Sequence, residues 1–149
     1  MFTKKQFSIA LGLLCVVPFA SYAFWGNAED VNAPSVEITQ DAFEKEVLFS
    51  DLPVILDVYA EWCFPCQILK PMFAQVAHDF KDSCKLVSID YHKNLELTST
   101  LAIRCFPTML VYRKGKIVQR FEGFPGSKQD LEKFVQEVVG RGTGSAAQN

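Results

Sequence analysis

The amino-acid sequence predicts one α/β domain. The first observation is the near-continuous apolar run Val54–Ala60, which is typical of a strand covered on both faces of a parallel sheet. The second is the order strand, helix, strand that follows from this run, which makes one right-handed βαβ unit. The third is chain length: with 149 residues, 49% of them apolar, the chain has room for one compact core.

The N-terminal 23 residues are predicted to be a secretory signal. Lys4 and Lys5 precede an uncharged stretch, and Ser21-Tyr22-Ala23 supplies small residues where signal peptidase reads them, so we expect cleavage after Ala23. Removal of residues 1–23 takes away two lysines and no acidic residue, which moves the formal charge from −2 to −4. The alternative is an uncleaved membrane anchor, because the uncharged stretch is long enough to span a bilayer.

The elements before the central strand are short. Residues 24–34 show no periodicity and are predicted to be a linker. Ser35–Ile38 has the character of a short first strand, and we expect the folded domain to occupy residues 35–140. Thr39 can cap a helix that extends to Leu48, with its apolar residues on one side.

The central strand is followed by a long helix and a second strand. The helix is predicted from apolar residues that recur at helical spacing, namely Ile68, Leu69, Met72, Phe73, Val76 and Phe80. Strand character returns at Lys85–Asp90. Asn94–Ala102 is predicted to form a second crossover helix.

The C-terminal part is predicted to be a hairpin and a final helix. Thr108–Tyr112 and Ile117–Glu122 flank a turn that contains a glycine, a pattern typical of an antiparallel hairpin. Ser127 stands at the start of an amphipathic helix. We expect this helix to end at Gly140 and residues 141–149 to form a flexible tail.

The segment Cys63-Phe64-Pro65-Cys66 is the part of the sequence from which a reaction type can be inferred. At a helix N-terminus, unpaired backbone N–H groups and the helix dipole favour a thiolate, the species that attacks disulfides. The second thiol, one turn further on, can then release the mixed disulfide. A structural bridge is the alternative, but a ring that encloses two residues constrains the unfolded chain little. The spacing therefore indicates thiol-disulfide exchange at Cys63 and Cys66.

Asp57 interrupts the apolar central strand. A carboxylate there is costly unless it is paired or protonated. Because burial raises the pKa of a carboxyl group, we expect Asp57 to act in acid–base chemistry by moving the proton of Cys66.

Other functions are not expected from this composition. A net charge of −2 without a basic tract argues against a nucleic-acid partner. Structural zinc usually needs a second close cysteine pair, and the remaining candidates, Cys84, Cys105, His78 and His92, are isolated, so we expect no metal.

Cys84 and Cys105 are predicted to lie at opposite ends of the sheet. A strand of about five residues spans roughly 17 Å, which no disulfide can bridge. We expect Cys84 to be a buried apolar thiol. Cys105, two residues before Pro107, is either a packing residue or an accessory redox thiol.

A further set of residues stands in a fixed order along the chain: Asp57, Ala60-Glu61-Trp62-Cys63, Pro65-Cys66, Pro71, Phe106-Pro107-Thr108, Gly115 and Gly123. Over about residues 35–140, this ordered set resembles the thioredoxin family. The resemblance implies a mixed central β-sheet flanked by helices. It also implies that Cys63 is an exposed nucleophile, that Cys66 is a buried resolving thiol, and that the Phe106–Pro107 peptide bond is cis, beside the disulfide.

The resemblance also implies where a substrate docks. Backbone near Pro107 would pair with an extended substrate segment, and Trp62 would shield the site and offer a contact surface. We expect an apolar docking patch for protein substrates. The substrate-contacting set is Trp62, Phe64, Pro65, Phe106, Gly123 and Phe124.

The direction of electron flow is predicted from Pro65. Reducing thioredoxins share this proline, whereas oxidising and isomerising relatives commonly have a histidine that stabilises the thiolate. Three residues depart from the usual pattern of the family and leave the reduction potential open: Phe64, Tyr59 and Leu86. Leu86 stands where many members carry a lysine near the buried acid.

We therefore predict an exported, periplasmic protein thiol-disulfide oxidoreductase that works as a reductase on protein disulfides. It would need no bound cofactor besides the Cys63–Cys66 disulfide and would act as a monomer. A partner protein, such as a membrane-embedded electron carrier, would re-reduce it. The alternatives are a disulfide oxidase or isomerase, and a redox-silent module that binds unfolded substrates.

Overall fold

The computed structural model describes residues 36–143. The strands are β1 (Val36–Glu37), β2 (Val54–Tyr59), β3 (Lys85–Asp90), β4 (Thr108–Arg113) and β5 (Lys116–Glu122). The helices are α1 (Gln40–Phe43), continued by a π-helical segment (Glu44–Leu48), α2 (Phe64–Asp79), α3 (Leu95–Thr100) and α4 (Lys128–Thr143).

The strands form one mixed sheet in the order β1–β3–β2–β4–β5. β3 pairs in parallel with β1 and β2, while β4 pairs antiparallel with β2 and β5. The predicted α/β class, with a central mixed sheet flanked by helices, is confirmed.

Helices cover both faces of the sheet, and β2 is buried between them. On one face Val54, Leu56 and Val58 pack with residues of α1 and of the chain around α3. On the other face Ile55 packs with residues of α2 and α4. Because side chains alternate along a strand, Asp57 lies on the α2 face. This placement brings a carboxyl group under the helix that carries the two cysteines.

Several predicted boundaries are wrong. α1 ends after four residues and gives way to the π-helical segment, and α3 is shorter at both ends than predicted. Gly140 does not end α4, which continues to Thr143, so the predicted tail does not begin at residue 141. A helical glycine costs only about 1 kcal/mol relative to alanine, and the buried face of α4 outweighs that cost.

The hairpin turn is tighter than predicted. β4 and β5 are joined by two residues, Lys114 and Gly115, and both have positive φ values, 49° and 72°. This is the backbone of a type I′ turn, which matches the twist of the flanking strands. The predicted signal peptide, the linker and the last six residues of the predicted tail lie outside the described residues.

Within residues 36–143, no helix is both long enough and apolar enough to cross a membrane.

Candidate active site

The two cysteines lie at the N-terminus of α2. Cys63 is the N-cap residue, and the Cys66 backbone N–H donates to Cys63 Sγ over 3.4 Å. The Cα atoms are 5.3 Å apart and the sulfur atoms are at disulfide-bonding distance. Pro65 occupies the first turn, where a missing N–H breaks no helical hydrogen bond. The fold therefore aims a helix N-terminus at the sulfur predicted to be the nucleophile.

The expected difference in exposure between the two cysteines is absent in the disulfide-bonded state. Cys63 is 5% exposed and Cys66 is 4% exposed. The two residues cluster with Ala60, and Tyr59 and Phe106 pack against them. The prediction of an exposed Cys63 is therefore wrong for this state, because neighbouring side chains cover the disulfide.

Asp57 lies in the interior beneath the disulfide. Its side chain is 4% exposed, and Oδ1 has no hydrogen-bond partner among the described residues. Burial raises the pKa of Asp57 to about 7. Leu86, which stands where many family members carry a lysine, is itself buried and offers no charge. The carboxyl group can therefore change its protonation state near neutral pH.

One cavity connects Asp57 with Cys66. Its volume is about 290 Å³, enough to hold water. The remaining wall residues are mostly polar, namely Glu37, Tyr59, Ala60, Glu61, Gln67, Lys70, Ser88 and Lys93. The cavity thus borders both the buried Asp57 and Cys66.

One contact in the cavity wall, between Lys70 and Tyr59, was not predicted from the sequence. The Lys70 ammonium group lies over the Tyr59 ring, 5.6 Å from its centroid. Burial, together with a hydrogen bond to Glu37, raises the pKa of Tyr59. No sequence pattern signals this pair, because Lys70 looks like an ordinary solvated helix residue.

The Phe106–Pro107 peptide bond is cis, as the resemblance implied. The loop is held by two hydrogen bonds: the Gly123 N–H donates to the Pro107 carbonyl over 2.8 Å, and Thr108 Oγ1 donates to the Cys105 carbonyl over 2.7 Å. Gly123 is therefore joined directly to Pro107.

The predicted docking residues differ in exposure. Trp62 and Phe64 are each 69% exposed, and the Trp62 ring meets Phe106 edge-on with centroids 5.7 Å apart. Phe124 instead packs partly buried against the core on the α2–α4 face. Ile68, exposed on α2, was not predicted as a contact residue. The exposed apolar surface thus centres on Trp62 and Phe64.

A histidine beside the site was also missed. The Trp62 indole Nε1–H donates to His92 Nε2 over 3.1 Å. The two residues are 30 positions apart in the chain. No local pattern could have signalled the contact, and from the sequence His92 was considered only as an isolated metal-ligand candidate.

Comparison with known proteins decides the family. The family model named Thioredoxin matches residues 34–137. The chain belongs to the thioredoxin family. Members of this family are thiol-disulfide oxidoreductases that act on disulfides in proteins, and the Cys63–Cys66 pair provides that chemistry here.

The relatives are thioredoxins from several sources. The chain is 38% identical over 79 residues to Thioredoxin of Rickettsia bellii, covering 53% of this chain and 75% of that protein. It is 36% identical over 100 residues to Thioredoxin Y1, chloroplastic, of Arabidopsis thaliana, covering 67% and 58%. It is 32% identical over 104 residues to Thioredoxin 1 of Nostoc sp., covering 68% and 97%.

The two other cysteines of this thioredoxin domain are free. Cys84 is fully buried in the core, and burial raises the pKa of its thiol to about 12. The expectation of a buried apolar thiol is confirmed. Cys105 is exposed, which argues against a packing role. Among the described residues, no group of three or more histidine, cysteine and acidic side chains is arranged to hold a metal ion.

Proposed function

We propose that this thioredoxin-family enzyme is an exported reductase of protein disulfides. The observation that carries the proposal is the position of Cys63 as N-cap of α2, with the Cys66 N–H directed at its sulfur. A helix N-terminus stabilises negative charge, so the reduced enzyme presents the Cys63 thiolate.

The reaction transfers two electrons through sulfur. The Cys63 thiolate attacks one sulfur of a substrate disulfide, which forms a mixed disulfide and releases the other substrate sulfur as a thiolate. Cys66 then loses its proton and attacks Cys63 Sγ. The second substrate sulfur leaves, and the Cys63–Cys66 disulfide found in this structure is the oxidised product.

Asp57 accepts the proton of Cys66 in this scheme. Its pKa of about 7 suits a group that must both take up and return a proton near neutral pH. The shared cavity supplies the path between the two groups. No bound cofactor is required, because the electrons stay on sulfur.

Substrate docks on the surface beside the disulfide. The exposed rings of Trp62 and Phe64 offer apolar contact, and the Pro107 loop offers backbone to an extended segment. Pro65, Phe106, Gly123 and Phe124 complete the proposed contact set.

Pro65 supports the reducing direction. A histidine at this position would donate to the thiolate and make the disulfide a stronger oxidant, whereas proline has no donor to offer. A reductase outside the cytosol needs re-reduction, and we propose a membrane-embedded electron carrier as the partner of a monomeric enzyme.

The N-terminal segment supports export. Lys4 and Lys5 before an uncharged stretch and a Ser-Tyr-Ala site suit a cleaved leader. Mass spectrometry of the protein expressed in a bacterium tests this: a mature N-terminus at Phe24 is expected. An intact N-terminus in the membrane fraction would instead support a tethered form of the same enzyme.

The deciding experiment is the equilibrium reduction potential of the Cys63–Cys66 pair against glutathione. We expect a value near the roughly −270 mV known for thioredoxin itself, rather than the roughly −120 mV of a strong periplasmic oxidant. A value near the second figure would overturn the reducing direction and support an oxidase.

Two variants separate enzyme from binding module. Cys63→Ser should abolish reduction of insulin disulfides, while Cys66→Ser should accumulate a mixed disulfide with the substrate. If Cys63→Ser leaves the effect on a client protein unchanged, the protein works as a redox-silent binder through its exposed aromatic surface.

A further inference from the structure

Trp62, the residue before the attacking cysteine, belongs to a closed circle of four rings. Trp62 meets Phe106 at 5.7 Å between centroids, Phe106 meets Tyr91 at 5.2 Å, Tyr91 meets His92 at 5.3 Å, and His92 meets Trp62 at 6.2 Å. The side-chain hydrogen bond found within the circle runs from Trp62 Nε1 to His92 Nε2. His92 thus supplies the hydrogen bond that orients an otherwise exposed tryptophan, in addition to the ring contact of that tryptophan with Phe106.

His92 is itself well anchored. Asp90, only 1% exposed, accepts through Oδ1 from the backbone N–H groups of His92 and Lys93, over 2.8 and 3.1 Å. Asn94 Nδ2 donates to the Asp90 carbonyl over 2.9 Å. The turn after β3 therefore holds His92 in place by hydrogen bonds to a buried residue.

A second contact joins this turn to the redox loop. The Lys93 ammonium group lies 2.6 Å from Glu61 Oε1, one residue before Trp62. This ion pair is exposed and contributes little by itself. Two neighbouring residues of the redox loop, Glu61 and Trp62, are thus held by two neighbouring residues of the turn.

The hydrogen bond from Trp62 to His92 can form only when the histidine ring is neutral. An indole N–H is only a donor, so His92 Nε2 must accept, which requires a neutral ring with its proton on Nδ1. A protonated histidine carries N–H donors on both nitrogens and cannot accept. Histidine is the side chain that ordinarily changes charge between about pH 5 and 8.

We propose that His92 is a positioning residue, which in its neutral form holds the Trp62 ring beside the Cys63–Cys66 pair and releases it on protonation. Substrate docking then weakens in acid. The proposal rests on thiol-disulfide exchange at Cys63 but not on the direction of electron flow. The titratable or charged groups that the structure places around His92 are Asp90, Tyr91 and Lys93 of its own turn, together with Glu61 of the redox loop, which pairs with Lys93.

Nuclear magnetic resonance on the oxidised protein tests the contact directly, because disulfide-bonded cysteines do not titrate. A Trp25→Phe background leaves Trp62 as the single indole. Between pH 5 and 8, we expect the Trp62 indole N–H resonance to move with the same midpoint as the His92 ring protons. His92→Gln, whose amide oxygen accepts at every pH, should abolish this movement, and His78→Gln should leave it unchanged.

Asp57 titrates in the same pH range, so the experiment is repeated with Asp57→Asn. A Trp62 resonance that still titrates in His92→Gln with Asp57→Asn, or that stays fixed while His92 titrates, would overturn the proposal. Neither result depends on the reduction potential, so failure here is distinct from failure of the proposed reductase.

Kinetics test the consequence for the reaction. His92→Phe keeps a ring and loses the acceptor, and we expect kcat/KM for insulin reduction at pH 7.5 to fall about threefold, mainly through KM. His92→Gln should restore most of this loss and should lack the acid weakening of KM. Equal KM values in His92→Phe, His92→Gln and the wild type would contradict a positioning role.

Discussion

The Asp57 carboxyl group is buried, and its Oδ1 atom has no hydrogen-bond partner among the described residues. Burial raises its pKa in the folded protein to about 7, from the 3.8 of an unperturbed aspartic acid. Between these values the folded protein keeps a proton that the unfolded chain has lost, so stability falls as pH rises through this window and levels off above it. Between pH 5 and 8 the loss through this group is about 3 kcal/mol.

Asp57→Asn should remove this pH dependence. The free energy of unfolding of the oxidised variant, measured in urea at pH 5 and pH 8, should change less than that of the wild type by about 3 kcal/mol. The exposed Asp51→Asn serves as the matched control and should follow the wild type. The same change in all three proteins would mean that Asp57 is not a buried neutral acid at pH 5.

The two free thiols should differ strongly in reactivity. In the oxidised protein without its leader, iodoacetamide at pH 8 should label the exposed Cys105, while the buried Cys84, with a pKa near 12, should stay unlabelled. Guanidinium should make both react. Labelling of Cys84 before Cys105 in the folded protein, read by peptide mass spectrometry, would contradict the placement of Cys84 in the core.

Residues with strong local signals could be predicted from the sequence. Cys63 and Cys66 stand out by spacing, and Asp57 stands out as a charge in an apolar strand. His92 and Lys70 could not be predicted, because their roles come from contacts that the fold makes across distant parts of the chain. The burial of Cys63 was missed for the same reason, since the covering ring of Phe106 comes from another loop.

At the scale of elements, two glycines differ in what their backbone requires: Gly115 lies in the β4–β5 turn, and Gly140 lies inside α4. Gly115 has φ +72°, and a Cβ atom there would lie 3.0 Å from the Leu48 carbonyl oxygen. Gly140 lies inside α4, where an added Cβ atom would meet no other described atom within 4 Å apart from its own stretch of the helix. One glycine is required by its conformation, and the other weakens a helix.

Alanine substitutions should therefore have opposite signs. Gly115→Ala should lower the free energy of unfolding by about 1–2 kcal/mol, because alanine is strained at positive φ and the backbone must shift. Gly140→Ala should raise it by about 0.5–1 kcal/mol through helix propensity. Urea unfolding of both variants checks this, and a stabilising Gly115→Ala would contradict the turn geometry.

Element identity was more predictable than element ends. β3 begins and ends where its β-branched and apolar pattern predicts, because β2 pairs with it along its whole length, Lys85–Asp90. α4 extends past Gly140, since its buried residues Leu131, Val135 and Val138 hold the helix against the sheet. The π-helical segment after α1 has no signal in the local sequence.

At the scale of the whole molecule, local patterns gave one βαβ unit and one hairpin. Joining them into a five-stranded mixed sheet needed the family resemblance, because hydrophobic periodicity does not encode which strands become neighbours. The family is established. The redox direction, in contrast, depends on the difference in folding free energy between the oxidised and the reduced protein, to which the whole folded molecule contributes.

This difference can be measured by comparing the free energy of unfolding of the oxidised protein with that of the reduced protein. In a thermodynamic cycle, a disulfide that is harder to reduce in the folded protein than in the unfolded chain must stabilise the fold by the same amount, about 1.4 kcal/mol per 30 mV. A reductase with Pro65 and no thiolate-stabilising histidine should therefore unfold at a higher urea concentration when oxidised than when reduced with dithiothreitol.

The control for this measurement is the double variant Cys63→Ser with Cys66→Ser, whose urea midpoint should not respond to dithiothreitol. The peptide Cys-Phe-Pro-Cys gives the potential of the unfolded reference, so the stability difference can be compared with the measured potential of the protein. A reduced form more stable than the oxidised form would identify an oxidant, because folding energy would then favour release of the disulfide to substrates.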